Sequence, residues 1–307
     1  MIGALAANLG IATTKFIIGG ITGSTVMISE GIHSLVDTGN SGLMMFGRWR
    51  SRRVADDEHP FGYGMELYFW SFVVAMVVFG GGGGLSIYQG VHAWSHPREP
   101  QSLWLSYLVI GVAAVFEGAS LVVGLREFAI YRKELKYDGT LLESIQASKN
   151  PAIFLTVLED TAALVGLAIA AAGIALRHAT GRAELEAAAS IAIGLVLMVE
   201  AAILAIECRG LITGESARPV VIAQLREAIA RCAGPLQIGE IRTLQLGPEA
   251  ILVILELKPS PMYGTPQLQP AIRTLIRALR AAMPAVRHVT FELTGTEPDP
   301  DPPPLSD

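Results

Sequence analysis

The chain has 307 residues, of which 51% are hydrophobic and 17% charged, where a soluble domain carries roughly a quarter charged residues. A formal net charge of −5 without a basic arm or stripe argues against a nucleic-acid reader. The two cysteines, Cys208 and Cys232, form no CxxC and argue against a disulfide framework or a thiolate metal site.

The hydrophobic residues gather in stretches that match a bilayer core, which takes about 20 residues of helix to cross. Six such runs, bounded by charges or turn residues, predict transmembrane helices at 2–21, 25–47, 66–92, 103–125, 152–176 and 187–207. No basic segment precedes the first run, so it is expected to act as its own insertion signal. Thr22-Gly23-Ser24 is short enough to make the first two helices an antiparallel hairpin. The third run contains Gly80 to Gly84 in an unbroken row, which in water would weaken a helix by up to about 1 kcal/mol per residue. Lipid offers no replacement for broken backbone hydrogen bonds, so the helix is expected to persist, with the glycines serving close packing or a hinge.

Lys and Arg are unevenly shared between the two sides. Arg48, Arg50, Arg52, Arg53, Arg126, Arg132, Lys133, Lys136, Lys149, Arg209 and Arg218 fall on one side, against Arg98, Arg177 and Arg182 on the other. By the positive-inside rule both termini are cytoplasmic, and a bacterial-type inner cell membrane is the expected location.

From about Pro219 the pattern becomes that of a small soluble domain. Residues 219–233 read as an amphipathic helix, 238–246 and 250–257 as strands joined at Gly247-Pro248, 265–283 as a second helix and 286–293 as a last strand. The order αββαβ predicts an α+β, ferredoxin-like fold. The chain thus divides into a six-span α-helical bundle (1–210), a cytoplasmic domain (211–296) and a tail rich in Pro and Asp (297–307) that is expected to be disordered.

Ionisable groups inside the spans carry the functional signal, since each costs at least about 2.5 kcal/mol at the bilayer centre and normally faces the bundle interior. His33 and Asp37 lie four apart on one helix face and can chelate a divalent cation. Glu159 and Asp160 are adjacent, about 100° apart around their helix, so one can ligate while the other pairs with a neighbour. Glu117, near mid-span, is a candidate proton relay or partner of Lys15. Glu200 and Glu207 lie toward the end of their span, where ion pairing or snorkelling is expected.

Four segments together resemble the cation diffusion facilitator family of divalent metal transporters. They are Gly23-Ser24, Ser29-Glu30-Gly31-Ile32-His33-Ser34-Leu35-Val36-Asp37, Glu58-His59-Pro60-Phe61-Gly62-Tyr63-Gly64 and Gly214-Glu215-Ser216. Glu117-Gly118-Ala119-Ser120 and Leu158-Glu159-Asp160-Thr161-Ala162 are similar to a branch that includes a mitochondrial zinc transporter of animals. The resemblance implies a transport site made by His33, Asp37 and Asp160; four residues before Asp160 stands Thr156 in place of the usual His or Asp. Either Glu159, or Thr156 with a water, then completes the shell. A second metal site, which in some family members uses an Asp and two His in the loop after span two, is matched by Asp56 and His59, with Tyr63 in place of the second His. The resemblance also implies a homodimer held by the soluble domain. In that domain His288 and Glu292 share one strand face without a Cys or His cluster beside them.

Such a shell binds metal only when deprotonated, so metal and protons compete for the same atoms and the transport expected is exchange of Zn²⁺ for H⁺. An oxygen-rich shell would favour Mn²⁺ or Fe²⁺. No resident cofactor is expected, only the carried ion. A membrane enzyme is not expected, because no HExxH occurs and Glu159-Asp160 on one helix cannot flank a substrate. A membrane-anchored metal sensor that transports nothing is the alternative of another class.

Overall fold

The computed structural model describes residues 2–97, 103–134, 149–232, 236–258 and 265–293. It divides into two compact units, one of residues 1–52 and 66–212 and the other of 53–65 and 213–307.

The first unit is helical. Helices α1 (Ile2–Thr22) and α2 (Thr25–Ser51) form the predicted hairpin. Gly23 turns the chain with a φ of 68°, and the Ser24 side chain caps α2 by accepting from the Met27 amide. Glycine allows the two helices to touch closely, since a Cβ on Gly31 would lie 3.0 Å from the Phe16 ring.

The third predicted span is one long helix in three parts: α3 (Glu66–Val77), a π-helical segment (Val78–Gly84) and α4 (Leu85–Ser95). The glycine row therefore does not break the helix but widens it locally. The remaining helices are α5 (Leu103–Glu134), α6 (Pro151–Thr180) and α7 (Glu184–Thr213). They run past the predicted spans at one or both ends, because hydropathy marks the apolar middle of a helix and misses its polar ends.

Among the described residues four helices are long and apolar enough to cross a membrane, over Glu66–Ser95, Leu103–Ile130, Phe154–Thr180 and Glu184–Thr213. The first two predicted spans are also helices, α1 and α2, but α2 carries Glu30, His33, Asp37, Arg48 and Arg50 along its length. The core of the unit includes Val74, Val78, Phe154, Leu167, Ile193, Leu197 and Leu204.

Small residues decide how the helices meet. A Cβ on Gly194 would lie 2.7 Å from the Gly83 carbonyl oxygen, and one on Gly90 would lie 2.8 Å from that of Ala187. The segment Gly83–Gly90 thus packs backbone to backbone on α7, the close approach that small residues permit in membrane proteins. Near the α1–α2 turn, Glu186 of α7 accepts from the Ser24 hydroxyl and from Arg177 of α6 at 2.6 Å. This ties three helices together at one end.

The second unit contains α8 (Pro219–Cys232), β1 (Gln237–Gly247), β2 (Ala250–Lys258), α9 (Thr265–Ala282) and β3 (Val286–Leu293), within a residue of the predicted bounds. Strands β1 and β2 are antiparallel, closing at Gly247 opposite Ala250. Strand β3 lies parallel to β2, reached through α9, so the sheet order is β1-β2-β3. The central strand buries Val253, Leu255 and Leu257 against Leu225 of α8 and Leu275 and Leu279 of α9. The tail expected to be disordered lies outside the described residues.

The loop between α2 and α3 belongs to this second unit, a grouping the sequence does not suggest. Gly64 of the loop presses on the Leu246 carbonyl and Gly247 at the β1–β2 turn, leaving no room for a side chain. Phe61 meets His288 of β3 edge to face, with ring centres 5.3 Å apart.

Candidate metal centre

Helix α2 points Glu30, His33 and Asp37 along one face, at spacings of three and four. Glu30 and His33 are buried. His33 Nε2 stands 3.3 Å from Asp37 Oδ2, yet neither ring nitrogen has a hydrogen-bond partner; the pair is close without hydrogen-bond geometry. Buried imidazole nitrogens normally find partners, and an orphaned one costs about 1–3 kcal/mol.

Helix α6 contributes Glu159 and Asp160. Glu159 Oε1 accepts from Asn40 Nδ2 of α2 at 2.9 Å, while Asp160 is buried with Oδ2 unpartnered. A hydrogen bond from Ser120 of α5 reaches Asp160. Glu200 of α7 is also buried, with Oε2 unpartnered, so it does not snorkel or pair at the helix end as the sequence led us to expect. Lys15 donates to Glu30 Oε2 at 3.0 Å and to Ser34 Oγ at 2.8 Å; it does not pair with Glu117.

Carboxylates from four helices lie within electrostatic reach of one another: Glu159, Glu200 and Glu117 of Asp37, and Asp160 of Glu200. Among the described residues the buried ammonium of Lys15 lies within electrostatic reach of Asp37 and Glu117, and Lys149 is the other buried lysine of the unit. So many carboxylates in a low-dielectric interior repel one another unless cations or protons offset them. Among the described residues no three His, Cys, Asp or Glu side chains converge on one point that could hold a metal ion. The structure brings His33 and Asp37 together and sets Asp160 and Glu159 on the facing helix. Thr156 is exposed on α6.

The other expected metal pair, Asp56 and His59, lies in a turn. Asp56 accepts from the His59 amide at 2.8 Å and from the Tyr63 hydroxyl at 2.6 Å, and the His59 and Tyr63 rings stack at 4.1 Å. Both Asp56 oxygens are thus used by the loop itself. The Tyr63 hydroxyl, then the His59 amide, hold the Asp56 carboxyl below its ordinary range. A depressed carboxylate stabilises the loop above its unfolded-state pKa, and the effect is lost as pH falls through the lowered folded value. Tyr63→Phe is therefore expected to move the Asp56 titration upward and to loosen the loop at a higher pH. Titration of the Asp56 carboxyl by NMR checks this; an unchanged midpoint would show that the Tyr63 bond does not form. In the same unit Glu292 accepts from Arg242 at 2.5 Å while His288 packs on Phe61.

The profile described as the cation efflux transmembrane domain matches residues 1–212. The chain belongs to this cation efflux family. The cation efflux chain is 32% identical over 234 residues, 76% of its length, to the mitochondrial proton-coupled zinc antiporter SLC30A9 of Mus musculus, of which the match covers 41%. The Homo sapiens protein of the same name gives the same identity and coverage. Metal tolerance protein C4 of Arabidopsis thaliana is 33% identical over 195 residues, 63% of this chain and 42% of that protein. The chain spans about two fifths of the length of these relatives. The two antiporters are transport proteins named as mitochondrial, which overturns the expectation of a bacterial-type inner cell membrane. That expectation followed from loop charge alone, and charge asymmetry orients a protein in a membrane without saying which membrane it is.

In this cation efflux chain, Glu30, Glu186 and Glu200 are buried carboxylates that were not among the candidate ligands expected from the sequence. Glu30 could have been found from its spacing of three before His33 on the same helix face. Glu200 carries no local signal, because only the rotation of α7 turns it inward.

Proposed function

We propose that this protein carries a divalent cation, Zn²⁺ first, across its membrane in exchange for protons, leaving the compartment that the basic loops face. Orphaned buried polar atoms carry this reading: both His33 nitrogens, Asp160 Oδ2 and Glu200 Oε2 all lack partners in the helical unit. Groups of this chemistry are metal ligands when deprotonated and proton carriers when not. His33, Asp37 and Asp160 bind the ion, with Glu159 as the fourth donor and Glu117 as a proton relay. Similarity to proton-coupled zinc antiporters supports both the ion and the exchange.

The same reading takes α1 and α2 as membrane spans, making six. Lys15 and Glu30 neutralise each other at the α1–α2 contact, which lowers the cost of placing either charge in lipid. The chain works as a homodimer, and the αββαβ unit is a ferredoxin-like domain that holds the copies together.

Uptake into proteoliposomes with an imposed pH gradient tests the proposal, using Zn²⁺, Mn²⁺, Fe²⁺, Co²⁺ and Cd²⁺ in turn. Zn²⁺ is expected to move with opposing proton flow, and Asp160→Asn to slow it by about 100-fold, the scale of a lost ligand of some 2.8 kcal/mol. Uptake by Asp160→Asn at the wild-type rate would remove Asp160 from the site. A preference for Mn²⁺ or Fe²⁺ would show that the oxygen-rich shell governs selectivity.

A further inference from the structure

Glu30 is buried as completely as any charged group in the unit, and one of its oxygens has no partner. Oε2 accepts from Lys15, but Oε1 has no hydrogen bond. On the next turn of α2, His33 Nδ1 is orphaned as well, while Nε2 is the nitrogen turned toward Asp37. Both orphaned atoms surround one spot on α6, since a Cβ on Gly166 would lie 2.7 Å from Glu30 Oε1 and 3.9 Å from His33 Nδ1. Glycine at this position leaves the space between the carboxylate and the imidazole open.

We infer that Glu30 is a positioning residue for the metal ligand His33, accepting a hydrogen bond from its Nδ1–H so that Nε2 is presented to the ion beside Asp37. The inference rests on the transport reading above. A ligating imidazole almost always donates its second N–H to a carboxylate, carbonyl or water, which fixes the tautomer and the ring and makes the ligating nitrogen more basic. Here Glu30 Oε1 is the orphaned carboxylate oxygen that borders the space over Gly166 together with Nδ1. Lys15 holds the other oxygen and is itself fixed by Ser34, so α1 anchors the carboxylate and α2 delivers it. The space above Gly166 is open for the Glu30 carboxylate to make the bond.

Removing Glu30 alone strands Lys15 in the interior and threatens folding, so the deciding variant neutralises both partners. Zn²⁺ affinity of the full chain in detergent is measured by competition with a fluorescent chelator for wild type, Glu30→Gln and Lys15→Met/Glu30→Gln. Thermal unfolding without metal, and KM and maximal rate in proteoliposomes, are measured on the same samples. The double variant is expected to unfold close to wild type, yet to bind Zn²⁺ 10- to 100-fold more weakly, with a raised KM. In the Zn²⁺-bound wild type, ¹⁵N-histidine NMR is expected to show His33 protonated at Nδ1 and metal-bound at Nε2. Wild-type affinity in the double variant, or metal on Nδ1, would overturn the inference and leave Lys15–Glu30 a structural ion pair. Wild-type protein that binds no Zn²⁺ would overturn the transport reading and this inference with it.

Discussion

His33→Leu is expected to make the metal-free protein more stable while abolishing its response to Zn²⁺. Both ring nitrogens of His33 are buried without a partner, so in the empty protein its polarity is a cost of about 1–3 kcal/mol for each unsatisfied atom. Leucine has a similar volume and leaves little cavity, which keeps the packing penalty below about 1.5 kcal/mol. Thermal unfolding in detergent without metal should therefore rise or hold. With Zn²⁺ at about 100 times its Kd, the wild type gains about 2.7 kcal/mol from binding, and the variant should gain none. A variant that is strongly destabilised without metal would show that His33 serves the fold and not the ion. Loss of stability normally accompanies change at an ordinary core position; its separation from loss of binding would mark a residue kept for its ligand.

Gly194→Val is expected to pull the third and last long helices of the membrane unit apart. A Cβ there would lie 2.6 Å from Ile87 Cγ1, 2.7 Å from the Gly83 carbonyl oxygen and 2.9 Å from the Ile87 amide nitrogen. Two of those atoms are backbone and cannot rotate away, so a helix must move. Overpacking of this kind costs about 1–3 kcal/mol, and a branched residue stands at the upper end. Gly111→Ala supplies the control, because a Cβ there meets nothing within 4 Å and alanine favours helix. Thermal unfolding of the two variants should differ in sign or by at least about 2 kcal/mol; equal midpoints would mean that the helices do not meet at Gly83 and Gly194. Transport by Gly194→Val should fall as well, since α7 carries the buried Glu200.

The row from Gly80 to Gly84 links these two effects. It forms a π-helical segment, a geometry that often accompanies function because one backbone hydrogen bond is displaced there. Glycine at Gly82 and Gly83 lets the segment lie on α7, where Leu197 and Met198 approach. Close packing and a wide turn thus occur in the same residues, and the alternatives of packing or hinge are not exclusive.

Local periodicity makes a large part of this architecture legible in the amino-acid sequence. Apolar runs place the helices, and alternation with turn residues places the αββαβ elements within a residue, because both patterns depend only on neighbours along the chain. The pairing of His33 with Asp37 is legible for the same reason: residues four apart share a helix face wherever that helix goes. Partners across helices are another matter. Lys15 meets Glu30 and not Glu117, Glu200 turns inward, and residues 53–65 join the C-terminal unit. Hydropathy says that a segment leaves water, but its rotation about its own axis is set by the side chains it packs against. Helix spacing therefore placed Glu30 and Asp37 beside His33, while tertiary packing alone brought Lys15 to Glu30, turned Glu200 inward and set Gly166 against Glu30 and His33.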